Sequence, residues 1–284
     1  MSRPSTPSAS APERRGRAVT TEATAERHRR SAGWRYRHSL WLLTKRDLKV
    51  RYATSALGYF WSILDPLVMS GIYYFVFTVV FDRSVGEDPY IVFLLAGLLP
   101  WMWFNQAVSD ATRAFLREVK LVRSTSIPRT IWVARIVLSK GIEFVASIPV
   151  LILFAIVAGA HVTPAVLLFP VAIVLQAALI LGVGLIVAPL VVFFRDLERA
   201  AKLVLRFLFY ASPIIYSTDN LPEALQPWAA LNPLSGIFAL YRSTFFAEEL
   251  DLSLIGVSAL ISAVILAIGI VVFQRSERAV LKEI

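Results

Sequence analysis

Between Trp41 and Phe81 a basic stretch, WLLTKRDLKVRY, leads almost directly into a long apolar one, LGYFWSILDPLVMSGIYYFVFTVVF. A partly apolar helix rich in cations belongs at a membrane surface, its charges over lipid phosphates and its apolar side in the acyl region. The apolar stretch then has no stable home except hydrocarbon or a protein core. This pairing constrains the chain to an integral membrane protein that begins with a helix lying on the membrane. Trp34, Trp41, Leu48 and Tyr52 fall in a narrow stripe at about 100° per residue. Lys45 borders that stripe and has to snorkel, while Arg46, Lys49 and Arg51 add further positive charge to the helix.

The composition agrees. Of the 284 residues 57% are hydrophobic and 17% charged, and the single membrane domain they can build leaves no room for a soluble enzyme. There is no cysteine, hence no disulfide framework, thiolate metal site or cysteine nucleophile. A net charge of +9 is compatible with nucleic-acid binding, but its distribution argues otherwise. Cutting the chain at its apolar runs places 27 of the 29 Lys and Arg on alternate segments. Short loops rich in Lys and Arg remain cytoplasmic, so both termini are expected there and the charge reads as topology. Membrane lipids are the expected partners of the basic surface, and no nucleic acid is.

Residues 1–32, rich in Ser, Ala, Pro, Thr and Arg without apolar periodicity, read as a disordered basic cytoplasmic tail. They lack the apolar core and cleavage site of a secretory signal. A helix needs about 20 apolar residues to cross hydrocarbon. Six candidates meet or approach this: roughly 55–81, 90–113, 131–159, 164–194, 203–217 and 252–274. The fifth is short and contains Pro213. From Leu221 to Phe246 the chain is semi-apolar and cut by Pro222, Pro227 and Pro233, which predicts short re-entrant or interfacial helices on the outer side. The expected fold is all-α: six transmembrane helices, an N-terminal amphipathic interface helix and short outer helices before the last span.

Few groups carry reaction chemistry. His28, His38 and His161 are scattered and neighbour no carboxylate pair, and no G-x-x-x-x-G-K-[ST] loop occurs. No catalytic residue, metal site or cofactor is expected on this chain. Asp65, Asp110 and Glu143 are the acids within the spans. Asp65 precedes Pro66 and reads as a partner for backbone freed by the proline, and Glu143 reads as a partner of Lys140 one turn away.

The helical faces are more telling. Ser55, Tyr59, Ser62, Ser70, Tyr73 and Phe77 project to one side of the first span, and Gly97, Trp101, Asn105, Ser109 and Thr112 to one side of the second. Aromatic rings beside small hydroxyl and amide groups suit sugars, whose apolar ring faces stack while their hydroxyls take donors and acceptors. Helix–helix packing draws on the same small residues and stays open as the alternative. In the loop REVKLVRSTSIPRTIW, Leu121, Val122 and Ile127 are more apolar than a linker requires. They would serve as anchors of a short helix docking on a soluble partner.

KRDLKVRYATSALGYFWSILDPL resembles the opening of permease subunits of ABC-2 type exporters of polysaccharides, among them O-antigen and teichoic acid systems. FFRDLERAAKLVLRFLFYASPIIYS and LNPLSGIFALYR continue the resemblance in the same order, so it covers roughly Trp34 to the C-terminus, with residues 33–284 as one transmembrane domain. The resemblance implies a second permease subunit, as a homodimer, and two copies of a cytoplasmic ABC ATPase subunit that bind ATP and Mg. It makes 36–52 the interface helix and places the ATPase-coupling helix at Leu121, Val122, Arg123, Ser124 and Ile127. Tyr59, Ser62, Ser70, Tyr73, Phe77, Trp101, Asn105 and Ser109 become candidates for lining the path of a lipid-linked glycan through the inner membrane. An ABC-2 exporter of drugs or other lipids fits the same pattern, and a stand-alone membrane lipid- or glycan-modifying enzyme remains as an alternative of another class.

Overall fold

The computed structural model describes residues 32–52, 60–80, 87–124 and 127–283. Every element in them is helical. Helix α1 (Ala32–Tyr52) is followed by α2 (Trp61–Tyr74), which widens into a π-helical stretch over Phe75–Val80. Next come α3 (Tyr90–Ala111), the short α4 (Val119–Ser124), α5 (Thr130–Val157), α6 (Phe169–Phe193) and α7 (Leu197–Ala211). Two short helices, α8 (Gln226–Ala230) and α9 (Pro233–Arg242), precede the long α10 (Leu252–Glu283).

The six expected spans reduce to four. Among the described residues, the helices long and apolar enough to cross a membrane are Tyr90–Ala111, Thr130–Val157, Pro164–Phe193 and Leu252–Glu283. The physical reason is length. At about 1.5 Å per residue, the 14 residues of α2 rise about 21 Å, against about 30 Å of hydrocarbon, before the helix loosens into its π-helical stretch. The rest of the expected span, apart from Phe60, is residues 55–59 and 81, outside the described residues. Helix α7 has 15 residues and stops at Ser212, whose extended φ −98° and ψ 148° are what the following Pro213 imposes. It is amphipathic: Leu205 is buried, whereas Lys202 and Arg206 are exposed. Of the expected tail, residues 1–32, all but Ala32 lie outside the described residues, and Ala32 opens α1.

Helix α3 forms the centre of the bundle, with Phe93, Leu94, Leu95 and Ala107 wholly buried. Helices α6 and α10 make the tightest pair, because glycine lets their backbones touch: a Cβ at Gly182 would lie 2.7 Å from the Leu266 Cα, and one at Gly269 would strike the Gly182 carbonyl. Helix α9 seats itself on α10 in the same manner through Gly236, whose N–H donates to the Ser258 hydroxyl at 3.0 Å. One end of the bundle, the basic end, gathers α1, α4 and the start of α7. The far end gathers the start of α3, α8, α9 and the start of α10.

Helix α1 lies on α5. The Tyr36 and Thr130 hydroxyls share a hydrogen bond at 3.3 Å, and Thr44, fully buried, turns its hydroxyl back to the Leu40 carbonyl at 2.8 Å. Trp34 and Trp41 of the expected stripe are 43% and 54% exposed.

Candidate functional site

Two cavities flank the middle and the basic end of the bundle. The first, about 530 Å³, lies between α2, α3 and α7. Tyr73 comes from α2; Trp101, Asn105 and Ser109 from α3; Lys202, Arg206, Phe209 and Tyr210 from α7. On α3 the three residues recur every four positions, so one face delivers all of them. The aromatic wall is continuous: Trp101 lies 5.6 Å from Phe209, and Phe209 lies 5.8 Å from Tyr73 and 5.1 Å from Tyr210, measured between ring centroids. Asn105 and Ser109 add amide and hydroxyl groups beside the rings. The cavity thus offers flat apolar faces with polar groups alongside, and cations towards its basic end.

Of the other candidate lining residues, Ser70 is buried in α2, and its hydroxyl has no hydrogen-bond partner among the described residues. Tyr59, and the side chains of Ser62 and Phe77, lie outside what the structure describes. The α7 wall is the part that reading faces along the first two spans misses. Lys202, Arg206, Phe209 and Tyr210 recur at intervals of four, three and one, a single helical face, and that spacing was available in the sequence.

The turn that ends α7 is held by Arg242. Its guanidinium is wholly buried, lies 3.6 Å over the Phe93 ring and donates to the Ile214 carbonyl at 2.7 Å. The Tyr90 hydroxyl donates to the adjacent Ile215 carbonyl at 3.2 Å. Carbonyls released where the helix breaks at Pro213 therefore find side-chain donors, as burial demands. Gly97 leaves the room: a Cβ there would meet Arg242 Nη2 at 2.9 Å.

The second cavity, about 520 Å³, is lined mainly by charge: Arg46, Asp47 and Arg51 on α1, Asp110, Arg113 and Glu118 around the end of α3, Arg135 and Glu143 on α5. Arg135, 4% exposed, bonds Asp47 at 3.1 Å. Arg46 donates to Glu118. Arg51 reaches Asp110 at 3.0 Å and Glu143 at 3.0 Å, and Lys140 reaches Glu143 at 3.1 Å and the Gln106 amide oxygen at 2.7 Å. The expected Lys140–Glu143 pair is thus one part of a larger network. Burial alone would raise the Glu118 carboxyl, but the Arg46 hydrogen bond and the Arg135 charge outweigh it and hold the group below its usual range. For Asp47 burial outweighs Arg135 and Arg46 and pushes the carboxyl up. Two of the interface-helix cations, Arg46 and Arg51, therefore bind the protein itself, whereas Lys45 and Lys49 are exposed and make no ion pair among the described residues.

Glu198 joins the two cavities. It accepts from Arg113, which lines the charged cavity, and from Lys202 at 2.7 Å, which lines the aromatic one. Those hydrogen bonds, Arg113 first, lower its carboxyl to about 2. Of the candidate coupling residues, Arg123 and Ser124 are exposed and Leu121 and Ile127 half-buried, whereas Val122 is fully buried within this chain. Asp65 is exposed and makes no hydrogen bond among the described residues. Among the described residues no group of three or more His, Asp or Glu is placed to hold a metal ion.

Residues 38–246 match the family model described as ABC-2 type transporter. The chain belongs to that family. It is 33% identical over 237 residues to the O-antigen export system permease protein RfbA of Klebsiella pneumoniae, a match spanning 82% of this chain and 90% of that protein. The protein of the same name from Myxococcus xanthus is 31% identical over 76% of this chain and 84% of its own length. The polysialic acid transport protein KpsM of Escherichia coli is 25% identical over 83% and 92%. These relatives are permeases or transport proteins, and this ABC-2 chain is a multi-span helical membrane permease. Family membership implies an ATPase subunit that works with ATP and Mg.

Proposed function

We propose that this chain is the permease subunit of an ATP-driven exporter that carries a lipid-linked polysaccharide from the cytoplasm across the inner membrane. Two copies, paired as a homodimer, work with two ATPase subunits, and both termini face the cytoplasm. The observation that carries the reading is the aromatic cavity. Tyr73, Trp101, Phe209 and Tyr210 form a wall beside Asn105 and Ser109, level with spanning helices, where a purely lipid-facing surface would have no use for amide and hydroxyl groups. Sugar rings stack on such walls, and their hydroxyls exchange hydrogen bonds with the amide and hydroxyl as the chain advances. The names of the relatives, O-antigen and polysialic acid transport proteins, support the same class of cargo.

The ATPase meets the basic end of the bundle, where α4 presents Arg123 and Ser124. Motion delivered there reaches α7 through Arg113 and Glu198, and reaches α1 and α5 through Glu118, Arg46 and Arg135. The test is export of surface glycan in cells carrying Tyr73→Ala or Tyr210→Ala. Export should fall several-fold at unchanged permease level and unchanged recovery of the complex. Full export in both variants would return these faces to helix packing.

A further inference from the structure

In the aromatic cavity one cation stands apart. Lys202 is paired with Glu198 at 2.7 Å, but Arg206, one turn further along α7, makes no hydrogen bond or ion pair among the described residues. It lies nine residues into α7, about 13 Å beyond the start of that helix. Helix α7 itself starts four residues after the spanning helix α6 ends. The cavity places Arg206 with Asn105, which is six residues, about 9 Å, from the end of α3. A guanidinium at that depth is costly in hydrocarbon unless it faces a cavity and has an anion to meet, which makes it a functional group by default. Arg206 faces a cavity, and among the described residues no anion meets it.

We infer that Arg206, with Lys202 below it, is the binding point for the phosphate or diphosphate group that joins the glycan to its lipid. This rests on the glycan-lining reading of the same cavity and adds to it the anion that has to accompany the sugars. Three surfaces of α7 meet there in the right order. The guanidinium fork matches phosphate oxygens two at a time. Phe209 and Tyr210, one turn further from the basic end, take the first sugar rings. Leu203 and Phe207, 64% and 71% exposed on the flank next to Arg206, give the lipid chain an apolar track outside the cavity. One helix face thus separates the three chemistries of a lipid-phosphate-sugar junction.

The experiment uses the permease–ATPase complex in phosphatidylcholine nanodiscs, with radiolabelled undecaprenyl diphosphate and undecaprenol as the two probes. The wild-type complex should bind the diphosphate about tenfold or more tightly than the alcohol, the value of charge-assisted hydrogen bonds. Arg206→Gln should bring the ratio close to one. Arg206→Lys, which keeps the charge and loses the fork, should keep a reduced preference, and it decides the matter if the glutamine variant does not assemble. No preference in the wild-type complex, or an unchanged one in Arg206→Gln, overturns the inference. Full displacement of the lipid by an equal concentration of inorganic pyrophosphate overturns its lipid-linked form, since a soluble anion would then suffice. If Tyr73→Ala and Tyr210→Ala export normally while Arg206→Gln loses the ratio, the anion site stands and the glycan lining falls.

Discussion

Asp47 on α1 accepts a hydrogen bond from the Arg135 guanidinium on α5 at 3.1 Å, and through it α1 is fastened to a spanning helix. Arg135 is almost completely buried, so the carboxylate compensates a charge that has little access to water. Removing one partner of such a pair leaves the other stranded, which costs more than the pair itself contributes. Asp47→Asn should therefore destabilise the permease by about 1–3 kcal/mol, because Arg135 retains Glu118 at 3.4 Å as a second acceptor. Thermal melting of the detergent-purified protein measures this, and limited proteolysis should cut first within α1. A melting curve equal to that of the wild type would mean that Glu118 alone satisfies Arg135.

Acid should loosen the same end of the molecule. The Glu118 and Glu198 carboxyls both lie below their ordinary value in the folded chain, Glu198 at about 2. Groups lowered by folding stabilise fully above the unfolded value, about 4.3 for glutamate, and lose that contribution as pH falls through the folded one. Asp47 runs the other way, since burial raises it, and offsets part of the loss. Melting temperature should thus decline between about pH 5 and pH 3. Glu198→Gln should flatten part of that decline, and an identical acid profile in this variant would remove Glu198 from the account.

How much of this could be read beforehand differs from helix to helix. The α3 face carrying Trp101, Asn105 and Ser109 follows from spacing alone, since one helix fixes its own angular order. The Lys140–Glu143 pair follows for the same reason. Arg51, which completes that pair from 92 residues away, has no local signature: opposite charges far apart in sequence announce no contact. The count of spans failed where hydropathy and helix length diverge. The stretch 203–217 is apolar enough on average, yet its helix begins at Leu197, ends before Pro213 and turns Lys202 and Arg206 towards a cavity. Val122 shows another limit: an apolar residue in a charged loop resembles a docking anchor, and its burial within this chain comes from tertiary packing that no local pattern announces.

Glycine at the crossing of α6 and α10 has a measurable role. Gly269→Ala places a methyl group against the Gly182 carbonyl, and backbone cannot step aside as a side chain can. The cost should be about 1–3 kcal/mol, as for overpacked cores. Gly256, on the same helix α10 but with no atom within 4 Å of its hypothetical Cβ, is the control. Gly256→Ala should be neutral or stabilising by up to about 1 kcal/mol, because alanine restricts the unfolded chain and favours helix. Equal melting temperatures for the two variants would exclude the close crossing.

The burial of Val122 decides how docking of the ATPase should be probed. Val122→Asp would put a carboxylate into the protein's own core, so any loss of the ATPase would report misfolding of the permease. Arg123, exposed and next to it on α4, carries no such ambiguity. Arg123→Glu reverses a charge on the surface proposed to meet the ATPase while breaking no hydrogen bond or ion pair among the described residues, and reversal at an interface acts through juxtaposed like charges and lost pairing. The variant should insert, melt like the wild type and recover several-fold less ATPase on affinity purification at physiological salt. Raising the salt should narrow the difference, since screening weakens exposed pairs. Full recovery of the ATPase by Arg123→Glu, together with full recovery by Ser124→Asp, would move the docking surface away from α4.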